Sequence, residues 1–497
     1  MAEEVWMLQT KKADFKQIGA RFRIDPVTAR IIRNRGIEGE AAIDRYLNGT
    51  LDDLYDPMLL KDMERAVSIL CEAVDTGKKI RIVGDYDIDG VCSTYILLQA
   101  FERLGSDVDF EIPDRIKDGY GINESIIEQA HADGVEVILT CDNGISAFHQ
   151  VELAKKYGMT VVITDHHEVP LDGEKEKIPP ADAVIDPKQA DCPYPFPEIC
   201  GAVVAYKLVQ VLYARRGVPQ MEWLDLLEFA AIATVGDVMK LQDENRILVK
   251  YGLKKMAQTK NLGLRRLAEK NNLDLGAITA YHIGFVIGPC LNAGGRLKTA
   301  KEALALLRAQ SEEEAERLAE ELKELNDTRK DMTEQGTEAA KLQVESWYQK
   351  DKVLVVFLPE CHESLAGIIA GRLREYYQKP AIVLTRGEEA VKGSGRSIDE
   401  YHMFKKLTEV SDLLLKFGGH PLAAGLSLEE KNIDEFRRRL NENAGLTEED
   451  FKAKVWIDVP MPVGYVTERL VRELSCLEPF GQGNEKPLFA EKSLRIR

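Results

Sequence analysis

Three aspartates at alternating positions, Asp85, Asp87 and Asp89, close an apolar run that starts near Ile80, and Gly90 follows them. In an extended segment the side-chain period is two, so three such carboxylates face one way. Like charges crowded on one face repel unless a cation sits among them, and oxygen-only clusters suit hard divalent metals such as Mg²⁺ or Mn²⁺. Taken alone, the same residues also fit a strand running into a polar turn, where Asp and Gly serve turn chemistry. Further clusters weigh against that plainer account. Cys141-Asp142-Asn143-Gly144 follows the apolar run Val135–Thr140, and Asp165-His166-His167-Glu168 follows Thr160–Thr164. Val235-Gly236-Asp237 closes the apolar helical run Trp223–Thr234, a weaker signal by itself. The chain has only eight histidines, and two of them are adjacent beside an aspartate. Imidazoles next to carboxylates at a strand end read as transition-metal ligands. Two metals about 3.5–4 Å apart can share a bridging carboxylate and lower the pKa of a bound water, which suits hydrolysis of a phosphoester or phosphoanhydride.

Such clusters need a scaffold that brings them together. Helix Met63–Thr76, strand Lys79–Val83, helix Val91–Leu104 and strand Val108–Ile112 alternate, and Val135–Thr140, Thr160–Thr164 and Ala183–Ile185 continue as strands. Strands alternating with helices predict an α/β fold with a parallel sheet, and ligands in such sheets sit at the carboxyl ends of the strands. The acidic clusters therefore converge on one edge. Residues 1–60 read as an N-terminal helical cap, with amphipathic stretches at Thr28–Asn34 and Glu40–Leu47, and 61–300 as the domain that holds the acids. Within it, loop Pro113–Gly121 carries Arg115 and Tyr120, and the Gly-rich turn Pro289–Arg296 carries Asn292 and Arg296. Each fits either a solvated connection or an anion contact. Residues 301–350 turn rich in Ala, Leu, Glu, Lys and Arg, as in a long solvated connecting helix.

A second α/β unit over 351–452 begins with strand Lys352–Leu358, helix Ser364–Tyr377 and strand Ala381–Leu384. Two small-residue turns follow, Val391–Ser397 with Ser394 and Arg396, and Phe417–Gly425 with Gly419 and His420. Backbone amides unobstructed by side chains hold phosphate oxygens, and Arg396 adds charge. Residues 453–497 contain β segments at Val455–Val459 and Leu488–Arg497 around a helix at Val466–Leu477.

At 497 residues and 44% hydrophobic content, two or three ordinary cores are expected. No apolar run reaches the roughly 18 residues of a membrane span, and no signal-peptide pattern opens the chain. Eight scattered cysteines form no CxxC pair, which fits a reducing cytoplasm. The formal charge of −17 argues against indiscriminate coating of nucleic acid, though metal-holding acids add to that count and basic grooves can be local.

The residues Asp85-Tyr86-Asp87-Ile88-Asp89-Gly90, Cys141-Asp142-Asn143-Gly144, Asp165-His166-His167 and Gly236-Asp237 resemble the four phosphoesterase motifs of the DHH superfamily. Gly418-Gly419-His420 through Gly425 is similar to the signature of the DHH-associated domain. The Pro113–Gly121 loop, the Asn292–Arg296 turn and Pro479-Phe480-Gly481-Gln482-Gly483-Asn484 resemble the RecJ branch in particular, the single-strand-specific 5′→3′ DNA exonucleases of repair and recombination. That resemblance implies two α/β domains joined by a long helix, with a cleft between them that admits single-stranded DNA. It implies two Mn²⁺ or Mg²⁺ ions held by Asp85, Asp87, Asp142, His166 and Asp237, with Asp142 bridging. His167 would meet the scissile phosphate or support the site, while Asp89 and Asp165 would steady the ligands from behind. Arg115, Tyr120, Asn292, Arg296, Ser394, Arg396, Gly419 and His420 are the candidates for holding the strand. A monomer assisted by a single-strand-binding protein or a helicase is the expected state.

Three departures from the family pattern stand out. Many relatives carry a histidine four residues before the first motif aspartate, where this chain has Arg81, so one metal position is expected to be more open. Cys290 stands where relatives often have arginine. Relatives continue into an oligonucleotide-binding (OB) fold, and the 453–497 tail reads as its start; it is expected to be mobile or packed on the DHH-associated domain. The alternatives are a superfamily member acting on short oligonucleotides, cyclic dinucleotides or polyphosphate, and a catalytically idle replication scaffold. The complete acid and histidine set speaks against the second.

Overall fold

A computed structural model describes residues 4–115 and 117–493. The chain divides into two compact units, Thr10–Asn326 with the chain from Asp458 onward, and Asp327–Ile457 with the first strand. Strand β1 (Glu4–Leu8) precedes three short helices, α1 (Phe15–Phe22), α2 (Pro26–Asn34) and α3 (Glu40–Asn48). Then comes the expected alternation, α4 (Met63–Asp75), β2 (Ile80–Val83), α5 (Ile88–Arg103) and β3 (Val108–Glu111). It continues with α6 (Glu124–Ala132), β4 (Val137–Cys141), α7 (Phe148–Lys156) and β5 (Thr160–Thr164). A small antiparallel pair, β6 (Leu171–Asp172) and β7 (Lys175–Glu176), precedes β8 (Ala183–Ile185).

The main sheet pairs its strands in parallel in the order β3-β2-β4-β5-β8. Alternation in β4 sends Val137, Leu139 and Cys141 into one core and Ile138 into the other, so both faces are covered. Helices α8 (Gly201–Arg216), α9 (Gln220–Leu224), α10 (Leu227–Gly236) and α11 (Asp243–Met256) thicken the first of these cores. The run read as one helix over Trp223–Thr234 is broken between α9 and α10. Further along lie α12 (Leu262–Lys270), α13 (Ala280–His282), a π-helical turn (Ile283–Ile287), α14 (Gly288–Leu297) and α15 (Lys301–Leu307). The Gly-rich segment Pro289–Arg296 is thus a helix rather than a turn, because its small residues allow close packing.

Helix α16 (Glu312–Gln343) is the expected long connection. The second unit holds β9 (Leu354–Phe357), α17 (Ala366–Tyr377), β10 (Ala381–Arg386), β11 (Val391–Arg396), α18 (Met403–Thr408), β12 (Leu414–Gly419), β13 (Ala423–Leu428) and α19 (Ile433–Glu442). Its sheet runs β12-β13-β11-β10-β9, parallel only between β9 and β10. The glycines of Val391–Ser397 therefore lie in a central strand, not a turn; Gly393 leaves room for Leu384 and Leu426.

Strand β14 (Ala453–Ile457) pairs in parallel with β1, so the N-terminal cap begins with a strand of the second unit. After β15 (Val459–Pro460), helix α20 (Glu468–Glu473) and β16 (Phe489–Ala490) complete the described tail. Of the tail expected to be mobile or packed on the DHH-associated domain, β14 does lie in the second unit, whereas the described residues beyond Asp458 pack on the N-terminal helices. Val459, Met461, Leu470 and Leu477 bury against Ile31, Ile32, Ile43 and Tyr46 of the N-terminal helices. The buried Arg246 guanidinium donates to the carbonyls of Tyr46, Cys476 and Leu477. Of the strand expected over Leu488–Arg497, only Phe489–Ala490 forms, and 494–497 lie outside the described residues.

Candidate metal centre

The acids gather at the carboxyl ends of β2, β4 and β5, with Asp237 at the C-terminal end of α10. The three alternating aspartates do not share an extended face, because the helix starts sooner than the sequence suggests. Asp85 lies in the loop, Asp87 caps α5, and Asp89 sits in its first turn. Asp87 Oδ1 accepts from the amides of Asp89 (2.9 Å) and Gly90 (3.1 Å). A Cβ at Gly90 would lie 2.4 Å from the Asp85 carbonyl, so only glycine lets the helix start against that backbone. Asp89 turns the other way, and its two oxygens accept from the Gly201 (2.7 Å) and Ala202 (2.8 Å) amides at the N-terminus of α8. The helix dipole favours a carboxylate there.

His166 Nε2 lies 3.1 Å from Asp142 Oδ1, 3.4 Å from Asp89 Oδ2 and 3.7 Å from Asp237 Oδ2. Among the described residues, three overlapping sets place their ligand atoms within 4.8 Å of one another: Asp142, His166 and His167; Asp89, His166 and Asp237; and Asp85, Asp87 and Asp142. Asp142 and His166 each belong to two of them, as bridging or central ligands would. Burial, then Asp87, pushes Asp85 up to about 8, and burial with Asp89 and Asp87 does the same for Asp237, also to about 8. Asp142 is raised well above its ordinary value by burial and by Asp89, Asp87, Asp85 and Asp237. Carboxylates so disfavoured in their charged form lack a counter-cation. Burial lowers His166, keeping the imidazole neutral as a metal ligand must be, and its buried Nδ1 has no hydrogen-bond partner. This donor set fits hard divalent cations.

His167 behaves differently. Asp165 Oδ1 lies 2.7 Å from its Nδ1, and the Tyr120 hydroxyl, which donates to the Asp142 carbonyl at 2.9 Å, lies 3.0 Å from the same nitrogen. Burial opposes the imidazolium, but the Asp165 hydrogen bond and the nearby acids outweigh it and lift His167 to about 9. Asp165 would be raised by burial, yet His167 and His166 together hold it below its ordinary value. Asp165 also accepts from the Ile145 and His166 amides, so it orders the loops after β4 and β5.

Arg115 stacks over the Tyr86 ring at 4.6 Å, and Arg296 also bears on Tyr86, so both cations reach the first-motif loop. Asn292 lies one turn before Arg296 on α14, with its buried Oδ1 unpartnered. Arg81 is engaged elsewhere. It sits in mid-strand, and its guanidinium pairs with Asp109 (2.7 Å) and Asp133 (2.8 Å), away from the strand's carboxyl end. Cys290 is buried in α14, 3.3 Å from Asn326 Nδ2, where it serves packing.

In the second unit, Ser394 and Arg396 lie on β11 and Gly419 ends β12, while His420 opens the link to β13. Arg396 pairs in register with Ala423 and Gly419 with Ala424, so the four share one end of that sheet. Arg396 Nη1 donates to Ser394 Oγ (3.1 Å) and the Gly395 carbonyl (2.8 Å).

Sequence reasoning missed the N-terminus of α8, whose amides hold Asp89. Gly201 marks it, since a Cβ there would lie 2.7 Å from the Asp142 Cβ. Asp186, just past β8, is raised to about 7 by burial and by Asp165.

The chain is similar to the DHH family, N-terminal domain, over residues 79–234, to the DHHA1 domain over 350–445, and to the RecJ OB domain over 457–497. It is 34% identical to the single-stranded-DNA-specific exonuclease RecJ of Haemophilus influenzae, covering 95% of this chain and 84% of that protein. The chain belongs to the RecJ family. The RecJ of Bacillus subtilis is 38% identical over 97% of this chain, which spans 61% of that longer protein. The crystal structure of RecJ from Thermus thermophilus in complex with Mn²⁺ superposes with a TM-score of 0.84 at 30% identity, covering 98% of this chain and 69% of that one. A second RecJ structure from the same organism, in complex with Mg²⁺, gives a TM-score of 0.76 at 29% identity over 97% of this chain and 67% of that one. Two α/β units joined by a long helix are thus the RecJ arrangement. Among the described residues, no helix is long and apolar enough to cross a membrane.

Proposed function

We propose that this chain is a metal-dependent, single-stranded-DNA-specific exonuclease of 5′→3′ polarity that hydrolyses phosphodiesters with two divalent cations. The observation that carries this is the overlap of three ligand sets on Asp142 and His166. Asp85, Asp87, Asp142, His166 and Asp237 would hold the ions, Mn²⁺ or Mg²⁺, with Asp142 shared. When bound, such ions offset the charge that develops on the phosphoryl group and activate water near neutral pH. Asp89, held by the α8 amides, faces His166 Nε2 at 3.4 Å and borders the ligand cluster. His167, charged through Asp165, presents a proton to the anionic phosphate, and Tyr120 keeps that imidazole aimed by holding the Asp142 carbonyl. Arg115, Asn292 and Arg296 at the first-motif loop, and Ser394, Arg396, Gly419 and His420 in the second unit, hold strand phosphates. A monomer working in the cytoplasm beside a single-strand-binding protein or a helicase fits this role. Digestion of 5′- and 3′-labelled single strands, duplex and a dinucleotide with Mn²⁺ or Mg²⁺ tests it. Stepwise loss from the 5′ end of single strands is expected, and equal attack on duplex or release from the 3′ end would refute the respective claim.

A further inference from the structure

The parts of α5 and α10 that lie away from the metal centre wall a second cavity. Its volume is about 470 Å³, within the range of small-molecule sites, and it opens among the second half of α5, the start of α10 and the loop before α12. At 1.5 Å per residue, Tyr95 stands about 12 Å along α5 from Asp87, and Glu228 about 14 Å along α10 from Asp237. The cavity is therefore separate from the metal centre.

Its inner wall holds an incompletely bonded acid. Glu228, 3% exposed, accepts from Thr259 Oγ1 at 2.7 Å through one oxygen, and its other oxygen meets no donor among the described residues. The cations that share the cavity are engaged otherwise. Asp225 takes both Lys255 and Lys260, and Glu222 takes Arg103. A buried carboxylate left in that state is stabilised by N–H donors supplied from outside the chain. On the same wall the Tyr95 hydroxyl accepts from Asn261 Nδ2 at 3.1 Å and has its own proton to give. The rings of Tyr95 and Phe229, with centroids 4.3 Å apart, make the wall partly apolar. Arg103 and Lys260 have side chains 52% and 82% exposed and so stand at the mouth.

This lining narrows the ligand. Three cations repel an amine, and three carboxylates repel a bare anion. A molecule with N–H donors at one end and an anionic group at the other suits both, and nucleotides have that form. Among the common bases, guanine alone sets two adjacent N–H donors beside a carbonyl oxygen. Its N1–H and N2–H match the Glu228 oxygen, and its O6 matches the Tyr95 proton. Adenine and cytosine would turn a ring acceptor towards the carboxylate.

We infer that this cavity binds a guanine nucleotide, with the base paired to Glu228 and the phosphate at Arg103 and Lys260. Such a site is independent of what the metal centre cleaves.

Calorimetric titration of the full chain with dGMP, dIMP, dAMP, dCMP and dTMP up to about 1 mM tests this, in chelator so that no metal-held site competes for phosphate. At about pH 8, above the value of about 7 to which burial lifts Glu228, one dGMP per chain is expected. dIMP, which lacks only the N2 amino group, should bind about tenfold more weakly, and the other three more weakly still. Glu228→Gln should weaken dGMP by about tenfold or more. Lys260→Ala should weaken dGMP a few-fold but leave deoxyguanosine, which has no phosphate, unchanged. Asp142→Ala should bind dGMP like the parent. No heat with dGMP, equal affinity for dGMP and dIMP, or parent-like binding by Glu228→Gln overturns the site. Lost binding in Asp142→Ala overturns it too, by assigning the nucleotide to the metal centre. The comparison of dGMP with dIMP uses the unaltered protein, so it decides the question even where Glu228→Gln fails to fold.

Discussion

The two α/β units place polar side chains at the ends of their sheets in opposite ways. In the larger one, Asp85, Asp89, Asp142 and His166 are buried together, and most of the charges facing one another are alike. In the smaller one, Ser394 and Arg396 are half-buried, Gly419 and His420 are exposed, and the arginine donates to its immediate neighbours. Buried like charges need a permanent counter-charge from outside the chain, because low dielectric strengthens their repulsion. A half-open cation with local support can take and release a phosphate as a strand moves. The first arrangement suits chemistry and the second suits grip.

The sharpest way to break that contrast is Asp142→Ala. Removing the shared ligand should cut turnover at saturating Mn²⁺ by at least about 10³-fold and lower the bound metal. In chelator the same variant should melt above the parent, since one repelling carboxylate is gone, and Mn²⁺ should raise the parent's Tm but barely move the variant's. Wild-type rates would end the two-metal assignment. His167→Ala should keep most of the metal, measured by elemental analysis, and slow turnover about 100-fold, as expected of a group that presents a proton to the phosphate rather than holding a metal.

Arg396→Ala belongs to the other side of the contrast. Strand affinity should fall by about tenfold, and the slope of log Kd against log salt should shrink by about one unit, with turnover at saturating strand little affected. Unchanged binding at every salt concentration would make this end of the sheet purely structural.

The smallest expected effect separates burial from metal binding. Glu228 is buried at the start of α10, accepts from Thr259 and has its other oxygen unpartnered, and burial lifts it from 4.5 to about 7. Between those values the folded chain holds a proton that the unfolded chain has lost, so this group's contribution to stability falls as pH rises from about 4.5 to 7. Glu228→Gln should therefore lose less Tm than the parent between pH 5 and 8, by a few degrees, and Mn²⁺ should leave that difference untouched.

The strands and the acids were legible because each signal is local. An apolar run ending in Asp142, or in Asp165-His166-His167, shows both the strand and its carboxyl end. Spacing misled at Asp85-x-Asp87-x-Asp89, where period-two reasoning assumed an extended segment and a helix cap intervened. It misled again at Gly393 and Gly395, since glycine marks both turns and strands that must pack closely, and only the neighbours Leu384, Met403 and Leu426 distinguish them. Arg81 was read through a family position, while its own partners lie on β3 and beyond α6.

Sequence by itself therefore determined the parallel α/β scaffold, the long connecting helix and the polar clusters around Asp85, Asp142 and His166 that follow its apolar runs. Those follow from short-range pattern, since a strand's direction and its terminal residues are written within a few positions. Tertiary structure decided what each group does there: that the α8 amides take up Asp89, that Asp165 charges His167, and that the tail from Asp458 docks on the N-terminal helices. Hydrogen bonds and burial between residues distant in the chain set most of these roles, and no local pattern encodes such pairings.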